Sequence, residues 1–235
     1  MRPPVNELEL PDLYEVAARA TINERCALAY LHDVRGSMQA LFSALELLGR
    51  SAKSGNDNAV RVERAYDLAR RAISHHEKST LGVLQLLTLQ HAEAAVVDPD
   101  VLVREVVHFL RNEAATREVT VTVSSVTGLG ITTELARFHT LLVGLLTAAI
   151  DATPAGAELP VSIGRRENYA VISIGSDYGG IPEAQEPWCP PRKRLHQREL
   201  TLLFARQFMA ANGGRLEIHS DAPRGTLRLY YPCLA

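Results

Sequence analysis

Cysteine is scarce and widely spread: Cys26, Cys189 and Cys233 are an odd number with no CxxC pair to begin a zinc site. A reduced, cytoplasmic setting is the expectation. Long apolar runs are missing as well, since nowhere do about 18 uncharged apolar residues stand together. Met1-Arg2-Pro3-Pro4 passes into Asn6, Glu7 and Glu9 without the apolar stretch of a signal peptide. No membrane contact and no membrane sensor are expected. An excess of one charge is also lacking: 25 basic residues stand against 27 acidic ones, for a formal charge of −2. Such a balance creates no field to attract nucleic acid or acidic lipid. Hydrolase signatures of the GxSxG and HExxH kinds are absent. What the 235 residues do have is a hydrophobic fraction of 46%, enough for one large domain or two small ones.

The chain divides by its patterning. From Pro11 to about Gly49, apolar residues recur at steps of three, four and seven: Leu28, Leu31, Val34, Met38, Leu41, Leu45 and Leu48. This spacing predicts one long helix with an apolar seam. Gly49 to Asn58 supplies stop and turn residues, and a second helical pattern follows from about Ala59 to Glu93. Two such helices leave apolar surface uncovered, so a hairpin that dimerises into a four-helix bundle is the simplest arrangement. Asp98-Pro99-Asp100 reads as a junction and helix cap, giving domains at 1–96 and 97–235. The second part alternates helices with short strands, and a final pair of strands is joined through Pro223-Arg224-Gly225. Its pattern predicts an α+β fold with helices on one side of a mixed sheet.

His32 sits mid-helix in Leu31-His32-Asp33-Val34-Arg35-Gly36-Ser37-Met38. Arg25, Ala29, Arg35, Gly36, Gln39 and Ser43 share its face, which is mostly polar or small, so the imidazole is expected to point outward with room beside Gly36. A neutral imidazole is a competent nucleophile near pH 7. Asp33 can accept from the second ring nitrogen and fix the tautomer, and Arg35 can attract phosphoryl oxygens. The plain alternative is a solvated surface histidine, because short motifs recur freely.

HDVRGSM followed by Leu41, Leu45, Glu46, Leu47 and Leu48 resembles the H-box of two-component histidine kinases, in which a dimerising hairpin precedes an ATP-binding sandwich of the Bergerat (GHKL) type. The same order runs here from about Leu13 to Pro232. The resemblance implies that His32 forms a phosphoramidate, that response-regulator receiver domains are the partners, and that Arg25, Gly36, Gln39 and Ser43 border the docking face. Phosphatase-competent kinases carry Thr or Asn four residues after the histidine. Here that position is Gly36, so weak hydrolysis of a partner's phospho-aspartate is expected.

The nucleotide motifs are degenerate by the same comparison. Leu141 to Ala152 resembles the N-box helix, NLLxNAIDA, with Gly144 and Ala148 in place of the two asparagines. A methyl group offers Mg²⁺ no lone pair. Ser176-Asp177-Tyr178-Gly179-Gly180-Ile181 resembles DxGxGI but is one residue short, leaving Asp177 and Gly179 as a vestigial adenine site. His196-Gln197-Arg198-Glu199-Leu200 stands where the family's glycine-rich phosphate cradle belongs, and Glu199 would repel phosphate. Asn212-Gly213-Gly214 and Arg224-Gly225-Thr226 keep the family's structural turns. The loop 183–195, with Trp188, three prolines and Arg192-Lys193-Arg194, reads as a packed surface loop.

The remaining histidines carry less. His75, His76 and Glu77 read as solvated helix surface, and His91, His108, His139 and His219 as core-edge residues with a satisfied nitrogen. The expected protein is therefore a dimeric histidine phosphotransferase similar to the ChpT-like kind. No metal and no tightly bound cofactor are expected, ATP included, with Mg²⁺ supplied on the receiver. The competing readings are a divergent ATP-dependent kinase and a non-catalytic scaffold or antikinase.

Overall fold

The computed structural model describes residues 10–53, 58–88, 94–126, 128–175, 197–219 and 225–234. The helices α1 (Leu10–Lys53) and α2 (Asn58–Thr88) come first. At 1.5 Å per residue, α1 is about 66 Å long. The chain forms two compact units, one of residues 23–88 and the other of residues 1–22 together with 89–235. The expected boundary near residue 97 therefore misses one feature: the first turns of α1 belong with the sheet-bearing unit. They do so because Ala18 and Ile22 are buried there and because Glu15 pairs with Arg137.

In the hairpin unit, the side chains that α1 buries are small, Cys26, Ser37, Ala44 and Ser51, and α2 buries Ala65 and Ala72. With the half-buried Tyr30, Asp33, Ala40 and Leu47, they recur at alternating steps of four and three, the periodicity of a coiled-coil seam. The large apolar residues lie elsewhere. Leu28, Leu31, Met38, Phe42 and Leu45 are exposed, as are Val62, Tyr66 and Ile73 on α2. Leu28, Leu31, Met38 and Leu45, expected in one seam with Val34, Leu41 and Leu48, thus form a separate outer stripe. The bulky side chains are thereby left for another surface.

The second unit contains β1 (Ala94–Val97), α3 (Pro99–Phe109), α4 (Arg111–Thr116), β2 (Thr120–Ser125), β3 (Ile131–Glu134) and α5 (Leu135–Ala152). These are followed by β4 (Glu158–Arg166), β5 (Tyr169–Gly175), α6 (Gln197–Ala211), β6 (Arg215–His219) and β7 (Thr226–Pro232). As the sequence predicts, Asp98 caps α3, its carboxylate accepting from the Asp100 amide at 2.9 Å, with Pro99 in the first turn. The main sheet has the order β2-β4-β5-β7-β6. Only β2 and β4 run parallel; the other neighbours are antiparallel. A short β1–β3 pair, which the sequence reading did not anticipate, forms a second sheet.

Alternation, clean in β4 and β5 and in the first half of β7, explains why one face of the main sheet is buried. Leu159, Val161 and Ile163 of β4, Ala170, Ile172 and Ile174 of β5, and Leu227 and Leu229 of β7 are all buried. Helices α5 and α6 complete this core with a cluster of rings: Phe208 stacks on Phe138 at 5.9 Å between centroids and lies 6.0 Å from Phe204. The turn into β6 depends on two glycines. Gly213 has φ +70°, and a Cβ on Gly214 would collide with the Tyr230 carbonyl oxygen. Helix α5 is the one described helix long and apolar enough to cross a membrane, but 13 of its residues are buried in this core.

His139 is among those buried residues and departs from expectation, because its Nδ1 has no hydrogen-bond partner among the described residues. Burial lowers its pKa from 6.5 to about 4. An unfolded chain takes up this proton near pH 6.5 while the native chain does not, so stability present above about pH 6.5 is lost as pH falls toward 4. The expected loss is roughly 3 kcal/mol. Urea unfolding across that pH range should show it, and His139→Leu should flatten the profile. An unchanged slope in His139→Leu would assign the acid sensitivity to other groups.

Candidate functional site

Adjacent residues on a helix point about 100° apart, and that offset separates His32 from Asp33. Position 33 falls on the inner seam of the hairpin and position 32 falls outside it. The His32 side chain is 82% exposed, whereas Asp33 is only 19% exposed. Imidazole Nδ1 lies 3.8 Å from Asp33 Oδ1, which leaves Nε2 as the outward-facing nitrogen. Gly36, one turn on, has open space where a Cβ would stand. The sequence expectation of an accessible ring with an acid beside it agrees with this geometry.

Asp33 also faces the second helix. Ser79 Oγ donates to Asp33 Oδ2 at 3.1 Å, and His75 Nε2 lies 3.8 Å from the same oxygen. Next to Ser79, Thr80 gives its hydroxyl proton to the His76 carbonyl at 2.8 Å. Tyr30 therefore donates to Thr80 Oγ1, at 3.3 Å. His75 was expected to be plain solvated surface; the structure places it beside the acid instead. Asp33 and Ser79 lie at nearly equal chain distances from the segment 54–57 joining the helices, a register signal by which the pair was readable.

Arg35, Gln39 and Ser43 are exposed and Arg25 is half-buried, while Ser43 Oγ donates to the Gln39 carbonyl at 2.9 Å. Arg35 continues the spacing of the outer stripe of Leu28, Leu31, Met38, Phe42 and Leu45. Among the described residues, no group of three or more His, Cys, Asp or Glu side chains is placed to hold a metal ion. Asp177, Gly179, the Trp188 loop, Cys189 and His91 lie outside the described residues.

On the sheet-bearing unit, α5 carries Gly144 and Ala148. Gly144 is fully packed: a Cβ there would stand 2.6 Å from Ile22 Cδ1 and 2.9 Å from Thr201 Cγ2. Ile22, at the end of the α1 segment that joins this unit, is 1% exposed. The segment is further fixed by Glu15, which accepts from both Nε and a terminal nitrogen of Arg137, whose guanidinium lies 5.3 Å from the Phe208 ring centre. Glu199 lies in the first turn of α6.

No protein-family model matches the chain, and no curated protein matches it. Solved structures do. The nucleotide-free catalytic domain of histidine kinase ThkA superposes with a TM-score of 0.53 at 17% identity, over 60% of this chain and 97% of that one. The fold is that of histidine kinases. The Acinetobacter baumannii histidine kinase AdeS matches with a TM-score of 0.51 at 14% identity, over 87% of this chain and 98% of its own. A bacterial phosphotransferase matches with a TM-score of 0.50 at 15% identity, over 89% and 96% respectively.

Within this histidine-kinase fold, the positions expected to carry the two asparagines present a glycine beneath an isoleucine and an alanine. Neither offers a side-chain donor or acceptor to a metal ion or a nucleotide. Gly144→Asn should destabilise the protein by about 2–4 kcal/mol through overpacking and a buried unpaired amide. Ile22→Ala in the same chain should recover part of that loss. Thermal melts of the two single variants and the double variant measure this, and a Gly144→Asn protein as stable as the parent would mean that Ile22 is not seated there.

Proposed function

We propose that this chain is a histidine phosphotransferase of a two-component phosphorelay, with His32 accepting a phosphoryl group from one receiver aspartate and returning it to another. The observation that carries the reading is the 82%-exposed His32 ring, with Nδ1 turned to Asp33 and Nε2 facing outward. In the forward step the Nε2 lone pair forms the N–P bond as the P–O bond to the receiver's aspartate breaks and its carboxylate leaves. The Nδ1 proton remains on the ring, where Asp33 stabilises the positive charge that develops. Transfer to a second receiver reverses these bonds. The receiver supplies Mg²⁺, and Arg35, on the side of the outer stripe toward His32, attracts phosphoryl oxygens. Receivers dock around Arg25, Gly36, Gln39 and Ser43.

The outer stripe of Leu28, Leu31, Met38, Phe42 and Leu45 is covered by the hairpin of a second copy, making a four-helix bundle. ATP does not serve as donor in this reading, which draws support from Gly144 packed beneath Ile22, from Ala148, and from Glu199 at the start of α6. The kinase alternative is favoured by the histidine-kinase fold itself. Labelled ATP with Mg²⁺ and, separately, a panel of phosphorylated receivers should be offered to the chain. Label reaching His32 only from a receiver is the expected result. Label reaching it from ATP alone would establish a kinase, and label from neither would leave a scaffold.

A further inference from the structure

We infer that Ser79 and His75 on α2 are positioning residues that act through Asp33 to set the tautomer of His32. This inference rests on the phosphotransferase reading and extends it across the hairpin. The two carboxylate oxygens of Asp33 have different neighbours: Oδ1 is 3.8 Å from His32 Nδ1, while Oδ2 accepts from Ser79 at 3.1 Å and lies 3.8 Å from His75 Nε2. Ser79 and His75 are one helical turn apart and so share the face that meets α1. A carboxylate on a surface helix ordinarily samples several rotamers. Here the hydroxyl on α2 restrains one oxygen, and the planar carboxylate then turns the other toward the ring.

A short adjustment of the exposed imidazole brings Nδ1–H into hydrogen-bonding range of Oδ1, as catalytic contacts tighten when substrate binds. The Nδ1–H tautomer leaves the Nε2 lone pair available for attack on phosphorus. Partners of this kind orient a histidine even though they do not touch the reacting atoms. Tyr30 and Thr80, bonded at 3.3 Å one turn away, hold the two helices in the same register.

The test is ¹⁵N-histidine NMR of the full chain at about pH 8, where an ordinary imidazole is neutral, with His32→Gln used to assign the resonances. Wild type should hold His32 mainly as the Nδ1–H tautomer. Ser79→Ala and the double variant Ser79→Ala with His75→Gln should move it toward Nε2–H and slow phosphoryl uptake from a receiver about ten-fold. Ser79→Thr, which restores the hydroxyl, should recover both readouts. A tautomer ratio identical in wild type and both alanine-bearing variants would overturn the inference. A wild-type chain that no receiver phosphorylates would overturn the functional reading instead, because the tautomer shift is measured without any receiver.

Discussion

Phosphoryl uptake from a phosphorylated receiver will vanish in His32→Ala and fall by about 10²-fold or more in Asp33→Asn. Both effects follow from where the side chains stand. His32 is largely in solvent, so its removal should alter stability by no more than about 0.5 kcal/mol, and a lost signal reports lost chemistry. Asparagine keeps the size of Asp33 and one acceptor oxygen. It gives up the negative charge that stabilises a positively charged phospho-imidazole ring, and its amide can turn a donor toward Ser79 or His32. The label on the wild-type chain should be acid-labile and stable in base, as a phosphoramidate is. His32→Ala labelled at the wild-type rate would remove the basis of the assignment.

The largest expected loss of stability comes from the aromatic cluster between α5, α6 and the sheet. Phe208 is completely buried, with ring centroids of Phe138, Phe204 and Tyr231 at 5.9, 6.0 and 6.4 Å. The Arg137 guanidinium adds a cation over its ring at 5.3 Å. Phe208→Ala should cost about 3–5 kcal/mol, because it opens a cavity among neighbours that are held by helices and strands together. In a chain of this length that corresponds to a fall of roughly 10 °C in melting temperature. Phe208→Leu, which keeps most of the volume, should lose much less. Circular dichroism melts of the three proteins check the ordering, and a wild-type melting temperature for Phe208→Ala would mean that the cluster does not hold these layers together.

Much of this architecture was readable because periodicity and punctuation agree. Asp98-Pro99 announces α3, and alternation in β4, β5 and β7 assigns one face of each strand to the core. The β1–β3 pair escaped because Ala94–Val97 and Ile131–Glu134 are four residues each, too short for alternation to separate them from loop. The hairpin misled differently. Apolar periodicity identified the helix correctly but drew Leu28, Leu31, Met38 and Leu45 into one seam with Val34, Leu41 and Leu48. The positions buried between the helices are instead Cys26, Ser37 and Ala44, residues of small volume that an apolar periodicity passes over.

At the site, the local pair His32-Asp33 was legible on α1, since it depends on neighbours in sequence. The contribution of α2 was missed, because 46 residues separate Asp33 from Ser79 and only their matching distances from the segment joining the helices give the pair away. Gly144 shows the same limit. Its place in an N-box-like run was evident, while the reason for its missing side chain lies 122 residues upstream of it, in Ile22.

The meeting of Ile22 and Gly144 has an evolutionary corollary. Placing a polar side chain at position 144 by one codon change sets that side chain against a helix already in place, and withdrawing Ile22 alone leaves an apolar hollow over a residue that cannot fill it. Each intermediate is less fit to fold than either endpoint, so the two positions are expected to change together in descendants. The packing of one isoleucine on one glycine thus ties the fates of the two positions together.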